Sequence, residues 1–214
     1  MTFRQLIDKV ILDAGILEDE MFPEARVKQE LNDAQRSVQV KLNGLGLKKW
    51  ETSTSPSVSN TTWAGYNVSY VSVPSDMLEG DNIVNAITVS NSISGYASMI
   101  DESKFYERIK NTYLIPTAKY PVMVRLDQKL YFFPRPTSVA LVYRKYLPTL
   151  TGDSDVSSLP LEYHDLMVKK AVLEIKKAKE NQMFVVEDRK LDKEVEETYV
   201  KNALNKQEVM NDAK

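Results

Sequence analysis

The sequence predicts an α+β fold: a bundle of about four long helices with a small antiparallel β-sheet domain inserted between the second and third long helices. Apolar residues recur with helical spacing at both ends of the chain, whereas the middle alternates apolar and polar residues as strands do. The 214 residues, 43% of them hydrophobic, are enough for one domain, 1–214. Within it we expect a helical hairpin over 1–48, a β-rich insertion with a short helix over 49–150, and C-terminal helices over 159–208.

The first two helices are predicted from their ends and their apolar faces. Thr2 and Gln5 have the spacing of a capping box, and Gly15 ends the apolar pattern that follows. The second helix begins near Pro23 and stops at two glycines. Its apolar face consists of Val27, Leu31, Ala34, Val38 and Leu42. The two helices are expected to form an antiparallel hairpin.

The middle of the chain opens with ETSTSPSVSNTTWAG, which is rich in Ser and Thr and has no helical period. We expect an exposed loop there, dispensable for folding between Thr52 and Thr62 and important for assembly. A short helix in SMIDESKFYERIKN is expected to have Asp101 as its cap and Phe105 and Ile109 pointing inward. Strands are predicted at YNVSYVSVP, NIVNAITVS, VMVRL, KLYFFP and SVALVYRKYLP, with a hairpin at Asp127-Gln128.

The C-terminal part is predicted to contain two long helices of different character. The third long helix has a broad apolar face, made by Leu166, Met167, Ala171, Val172, Ile175 and Ala178. The segment 187–207 is far more charged and has only a narrow stripe of Leu191, Val195 and Tyr199. An isolated helix of this kind is marginal in water, so something must cover its stripe. Either a partner or the chain's own third helix could do so.

Composition excludes several classes of function. The charge is nearly balanced, with 28 Lys+Arg against 30 Asp+Glu, so the basic excess of proteins that grip DNA phosphates is missing. The chain has no cysteine, which excludes disulfides, zinc thiolate sites and thiol nucleophiles. The N-terminal segment MTFRQLIDKVILDAG carries charges within its apolar pattern, so it predicts neither a signal peptide nor a membrane span. Synthesis in the cytoplasm is therefore expected.

The single histidine, His164, lies in the stretch SLPLEYHDLMVKKAVLEI. A helix that begins near Pro160 would place it at the positive end of the helix dipole, which favours the neutral imidazole. Adjacent residues on a helix do not face one another, so Asp165 cannot orient the imidazole as a catalytic base. We therefore expect Tyr163 and His164 to form a structural junction between a loop and a helix. A hydrolase centred on His164 is the less favoured alternative.

Acidic clusters in the two turn-rich loops are the only candidates for a metal site. Asp153 and Asp155 have D-x-D spacing but lack the rest of a calcium loop. Asp76, Glu79 and Asp81 are explained equally well by turn formation. The 7 glycines form no P-loop or dinucleotide fingerprint. No catalytic residue, metal or cofactor is expected.

The order of elements and three short motifs carry a resemblance to a known family. The motifs lie between Leu114 and Lys179. They are Pro134-x-Pro136, Tyr143-x-x-Tyr146-Leu147-Pro148 and Leu159-Pro160-x-x-Tyr163-His164. With a helical hairpin before them and a charged helix after them, they resemble the head-to-tail connector (adaptor or ring) proteins of tailed bacteriophages, related to the tail tubular protein A of podoviruses.

The resemblance implies a structural virion protein and not an enzyme. Members of the family assemble as a ring of twelve between the portal and the tail, form a DNA channel and provide a platform for tail assembly. The implied partners are further copies of the chain, the portal, downstream tail or ring proteins, and DNA passing without sequence-specific binding. No membrane and no cofactor are implied, and the expected location is the head–tail interface of the virion, after synthesis in the host cytoplasm.

The resemblance also suggests which surface meets a partner. Leu191, Val195 and Tyr199 are expected to be covered by a neighbouring subunit or by the portal. A DNA-binding module that uses the helical hairpin is the main alternative function. It would require cations concentrated on one helix, whereas the second helix mixes Glu24, Glu30 and Asp33 with Arg26, Lys28, Arg36 and Lys41.

Overall fold

A computed structural model describes residues 1–17, 21–47, 49–78, 82–111, 113–180 and 185–212. Over those residues the chain is mixed α+β, with five α-helices, one short 3-10 turn and two β-sheets. It divides into two compact units. The helical unit comprises Met1–Lys48 and Tyr146–Lys214, and the β unit comprises Lys49–Lys145.

The helices have the following bounds in chain order. They are α1 (Phe3–Ala14), α2 (Glu24–Gly44), α3 (Glu102–Lys110), α4 (His164–Glu180), which follows a 3-10 turn (Leu161–Tyr163), and α5 (Val185–Asp212). The predicted capping box is confirmed, since Thr2 Oγ1 accepts from the Gln5 N–H and the Gln5 side chain accepts from the Thr2 N–H. Gly15, with φ of +63°, ends α1 as predicted.

The core of the helical unit is built around α4, which packs against α1, α2 and α5. The apolar face predicted for α4 is confirmed in its centre, where Met167, Ala171 and Ile175 are fully buried. At its edges the face differs from the prediction. Leu173 is buried as well, and Ala178 is exposed.

The β unit contains nine strands among its described residues. They are β1 (Glu51–Thr54), β2 (Ser59–Trp63), β3 (Tyr66–Ser72), β4 (Ile83–Ser90), β5 (Ile93–Tyr96), β6 (Ser98–Met99), β7 (Val122–Leu126), β8 (Lys129–Phe133) and β9 (Ser138–Arg144). Four form a sheet in the order β1-β9-β4-β5, and five form a sheet in the order β2-β3-β8-β7-β6. The predicted hairpin at Asp127-Gln128 is confirmed as the β7–β8 turn.

The two sheets of the β unit share one apolar core. Val71 and Phe132 of the five-stranded sheet pack in the same buried cluster as Ala86 and Leu141 of the four-stranded sheet. The other face of the five-stranded sheet is covered by α3, through Phe105 and Ile109, which are buried as predicted. Asp101 lies at the N-cap position of α3, but its carboxylate pairs with Lys104 at 3.3 Å and caps no backbone N–H.

Two expectations about this unit differ from the structure. We expected one small antiparallel sheet, but there are two, and the pair β6–β7 is parallel. The exposed loop predicted between Thr52 and Thr62 is wrong, because β1 and β2 occupy much of that stretch. Both are strands at sheet edges, which need few apolar residues, so their Ser/Thr-rich sequences show no strong alternation. β2 joins β3 through Ala64 and Gly65, whose φ values of +49° and +86° match a tight hairpin turn.

Candidate functional site

The sequence placed a structural junction at the entrance of α4, and His164 lies there with only 2% of its surface exposed. Its Nε2 lies 3.0 Å from the carbonyl oxygen of Leu159, and its Nδ1 lies 3.4 Å from the amino group of Met1. Because a carbonyl only accepts, Nε2 carries the proton and Nδ1 accepts from the amine. Burial lowers the pKa of His164, and the positive charge of the Met1 amine acts in the same direction. The imidazole is therefore neutral and links two parts of the chain that are far apart in sequence.

The residues that a hydrolase would need beside His164 have other partners. Asp165 pairs with Lys9 at 2.7 Å. The hydroxyl of Ser157 donates to the side-chain oxygen of Gln35 at 2.6 Å. The described residues around His164 thus contain neither the orienting carboxylate nor the activated hydroxyl of a catalytic relay. The arrangement holds the loop before α4 in place.

Tyr163, the other predicted junction residue, is 2% exposed. Burial raises the pKa of its hydroxyl, which lies beside Asn202 of α5. Asn202 also donates to Glu162 at 3.1 Å. The 3-10 turn therefore contacts α5 as well as leading into α4.

The contact of α5 with α2 and α4, which we term the α5 seam, contains the stripe that was predicted to meet a partner. Val195 is fully buried in the single chain, whereas Leu191 and Tyr199 are half-buried. Val195 is therefore unavailable to a partner unless α5 moves away from α4. The interface role of these three residues stays a prediction.

Ion pairs of one polarity cross the α5 seam. In each pair the carboxylate belongs to α5 and the lysine belongs to α2 or α4. The pairs are Lys41–Glu196 at 2.5 Å, Lys170–Asp192 at 2.7 Å, Lys169–Glu194 and Lys177–Asp188. Lys170 is 9% exposed and also donates to Ser37 at 3.1 Å. The hydrogen bond from Lys41 to Glu196 raises the pKa of Lys41, so this lysine stays charged at neutral pH.

Grooves lie on both sides of the seam. One, of about 460 Å³, is lined by residues of α2, α4 and α5 that include Asp33, Glu174 and Asp192. The other, of about 270 Å³, is bounded by α1, α4 and α5 and includes Asp13, Glu162 and Thr198. Both are rich in carboxylates, yet no group of three or more His, Cys, Asp or Glu among the described residues is arranged to hold a metal ion.

The acidic loops considered for metal binding have structural partners. The Asp155 carboxylate accepts from the backbone N–H groups of Thr151 and Gly152 at 2.8 and 2.9 Å, and these bonds lower its pKa. Asp153 pairs with Lys28 at 3.5 Å. Asp76 accepts from the hydroxyl of Tyr143 at 2.8 Å. Of the remaining candidates, Glu79 and Asp81 lie outside the described residues.

A row of buried carboxamides on α2 was not predicted from the sequence. Asn32 exchanges two hydrogen bonds with the backbone of Leu150, donating at 3.1 Å and accepting at 2.8 Å. Gln35 donates to the Pro148 carbonyl, and Gln39 accepts from the Leu147 N–H. The three side chains recur at helical spacing beside the apolar face, which is the signal that could have revealed them. They fix the extended segment 147–150 on α2.

Comparisons with known proteins bear on the whole chain. The family model described as SU10 adaptor protein matches residues 1–211. The comparison with curated proteins finds no match. The described helices include none with both the length and the apolar character that crossing a membrane requires.

Proposed function

The chain belongs to the SU10 adaptor protein family, which makes it a phage adaptor-type structural protein, and on that premise we propose that it forms a ring between the portal and the tail. The ring has twelve copies, provides a channel for DNA and offers a docking platform for tail assembly. The observation that carries the proposal is the length of the family match, which includes both units.

The net charge of the chain supports the proposal of a DNA channel. A conduit must let the phosphate backbone slide, and a protein that neutralises many phosphates binds DNA tightly at moderate salt. This chain has a formal net charge of -2, so it carries no excess of cations with which to hold DNA. DNA therefore passes the ring without sequence-specific binding.

The proposed partners follow from a position between the portal and the tail. They are further copies of the chain, the portal protein and a downstream tail or ring protein, with no membrane involved. We place a contact with a neighbouring subunit or the portal on α5, where Leu191 and Tyr199 are half-exposed and Val200 and Leu204 are exposed. The protein acts in the virion, at the head–tail interface, after its synthesis in the host cytoplasm.

The alternative of a DNA-binding helical hairpin is weakened by the partners of the cations on α2. Lys28 pairs with Glu24 at 2.8 Å, and Lys41 pairs with Glu196 at 2.5 Å. A lysine held by a carboxylate neutralises a phosphate only after that ion pair breaks. The hydrolase alternative is weakened in the same way by the partners of His164 and Asp165.

Two measurements on the purified chain test the proposal. Light scattering over a range of protein concentrations gives the mass of the assembly, and a gel shift at moderate salt measures DNA binding. The proposal predicts ring-sized particles and no shifted band. A monomer that shifts duplex DNA would instead favour the DNA-binding module.

A further inference from the structure

Two surfaces of this chain, one on each unit, expose apolar side chains next to charges of opposite sign. We propose that they are the two halves of one contact, through which the β unit of one copy binds the helical unit of the next copy. This inference rests on the ring proposed above, because it names the surfaces that would join neighbouring copies.

The first surface is the tyrosine patch of the β unit. Its aromatic members are far more exposed than side chains of this size usually are, with Tyr113 95% and Tyr120 69% accessible. Leu114 and Ile115 extend the same surface. Tyrosine is enriched at the energetic centres of protein interfaces, where its ring is buried and its hydroxyl finds a partner. The tyrosine patch is defined as Tyr113, Leu114, Ile115, Lys119 and Tyr120.

The tyrosine patch is held in shape by its own chain. A Cβ at Gly95 of β5 would lie 2.4 Å from the Ala118 carbonyl oxygen and 2.7 Å from Pro121 Cδ, so segment 118–121 lies directly against this strand. The side-chain oxygen of Asn111 accepts from the N–H groups of Tyr113 and Leu114 at 2.9 and 3.3 Å. A surface fixed in this way loses little conformational entropy when a partner binds.

Charge around the tyrosine patch is positive. Between residues 108 and 121 the sequence has Arg108, Lys110 and Lys119 and no acidic residue. Lys119 lies over the ring of Tyr120, with its amine 5.6 Å from the ring centroid. Leu114 borders a small pocket of about 150 Å³ that Lys104, Arg108 and Glu107 also line, so two cations face one carboxylate there. A partner surface should therefore be apolar and acidic.

The helical unit carries such a surface, the acidic patch, at the end of α1. Leu12, Leu17 and Met21 are 78%, 79% and 64% exposed. Asp13 is also exposed, and it lines the groove of about 270 Å³ together with Glu162. The acidic patch is defined as these five residues.

The cations that line this groove do not neutralise all of its carboxylates. Lys9 and Lys169 line it, but Lys9 pairs with Asp165 at 2.7 Å and Lys169 pairs with Glu194. Within the described part of the chain, Asp13 and Glu162 form no ion pair. The groove can therefore receive an amine such as that of Lys119, next to Asp13.

A second copy of the chain is the occupant that fits both surfaces. Two tyrosine patches placed face to face would bring like charges together, and so would two acidic patches, which disfavours a symmetric dimer. The unlike patches attract each other. A contact between different surfaces of identical chains is heterologous, and it forms a closed ring when its rotation closes.

Two double variants, each with one patch disabled, test the inference. Tyr113→Ser with Lys119→Glu disables the tyrosine patch, and Leu12→Ser with Asp13→Lys disables the acidic patch. Val84→Ser with Lys49→Glu is the matched control, because both positions are exposed and belong to neither patch. Circular dichroism melting verifies folding, and the single variants Lys119→Glu and Asp13→Lys replace any double variant that fails to fold. Native mass spectrometry then measures the species formed by each variant and by their mixture.

We expect each disabled variant to need at least about tenfold more protein than wild type to assemble, as loss of one interface centre predicts. A mixture of the two should give a 1:1 heterodimer, because only one competent contact remains in it. The control should assemble as wild type does. If wild type forms rings and both disabled variants do so equally well, the inference is overturned while the proposed function stands. A wild-type chain that stays monomeric even with its portal overturns the proposed ring and this inference together.

Discussion

The β unit and the helical unit differ in the polar side chains that they bury beside their apolar cores. In the β unit two sheets enclose a core of apolar side chains, with Phe132, Leu141 and Ala86 fully buried. In the helical unit α2 buries Asn32, Gln35 and Gln39 beside its apolar residues, and their hydrogen bonds fix a single extended segment. Apolar burial gives stability without direction, whereas hydrogen bonds between named atoms give one geometry. In the helical unit, the buried carboxamides therefore give segment 147–150 one defined position on α2.

The α5 seam extends this difference. Val195 is the one fully buried residue among the α5 side chains that the structure describes, and four ion pairs also cross the seam. Exposed ion pairs contribute little stability and are weakened by salt. Among the described elements, α5 should therefore respond most strongly to ionic strength.

The largest expected effect is on the core of the β unit. Phe132→Ala removes a fully buried ring and should lower the free energy of unfolding by about 3–5 kcal/mol. Both tryptophans, Trp50 and Trp63, belong to this unit, so tryptophan fluorescence during urea denaturation reports its unfolding. Val84→Ala, at an exposed position of the same unit, is the control. A loss no greater than that of the control would contradict the role given to the two-sheet core.

The buried carboxamides of α2 are expected to stabilise the helical unit. Asn32→Leu keeps the size of the side chain but leaves the N–H and C=O of Leu150 without partners, which should cost about 1–3 kcal/mol. Unfolding by urea, followed by circular dichroism at the helix band, measures this change in unfolding free energy. Gln29→Leu, on the exposed face of α2, is the matched control. Equal stability of the two variants would mean that the carboxamides are not required to hold segment 147–150.

The junction at His164 should behave as a structural element. His164→Ala leaves the Leu159 carbonyl without its donor, so we expect a loss of about 1–3 kcal/mol in unfolding free energy. Thermal melting measures it, with Lys179→Ala, at an exposed position of α4, as the control. A variant that melts like wild type but loses a chemical activity would contradict this role.

The pH dependence of the unfolding free energy tests the same structural role of His164. Burial lowers the pKa of folded His164, so the unfolded chain binds a proton first as the pH falls. The contribution of this group is complete above the unfolded pKa of about 6.5 and is lost as the pH falls through the folded pKa. Wild type should therefore lose stability below about pH 6.5 faster than His164→Gln does. Parallel curves for the two proteins would contradict the buried, neutral imidazole.

The smallest expected effect is on the α5 seam. Surface ion pairs contribute about 0–1 kcal/mol each, and Lys170–Asp192 is the most buried of those that cross it. Hydrogen exchange of 187–204 in a verified monomer should quicken several-fold between low salt and about 1 M salt, while β8 is unaffected. Lys170→Met should quicken exchange at low salt, with Lys193→Met on the outer face of α5 as the control. Exchange independent of salt would mean that apolar contacts alone hold α5.

Local signals in the sequence predicted most of the helices and fewer of the strands. The capping box at Thr2, the stop at Gly15 and the inward residues of α3 each depend on neighbours a few positions away. β1 and β2 were missed because edge strands of Ser and Thr become strands only by pairing with β9 and β3. Division of the strands between two sheets depends on contacts between distant residues, which no local pattern encodes.

Local signals also predicted only part of the candidate site. The position of His164 at the start of a helix followed from Pro160, but its partners Met1 and Leu159 could not be read from spacing. The stripe on α5 was predicted as a face, and its period did not indicate which surface covers it. The carboxamides of α2 lie beside its apolar face, but their spacing does not identify the backbone groups of segment 147–150 that they bind.

Imaging of the purified chain together with its portal distinguishes a closed ring from isolated copies. We expect closed rings of twelve copies attached coaxially to the portal, with an open channel along the axis. Particles that stay monomeric, or that bind the portal as isolated copies without closing a ring, would contradict it.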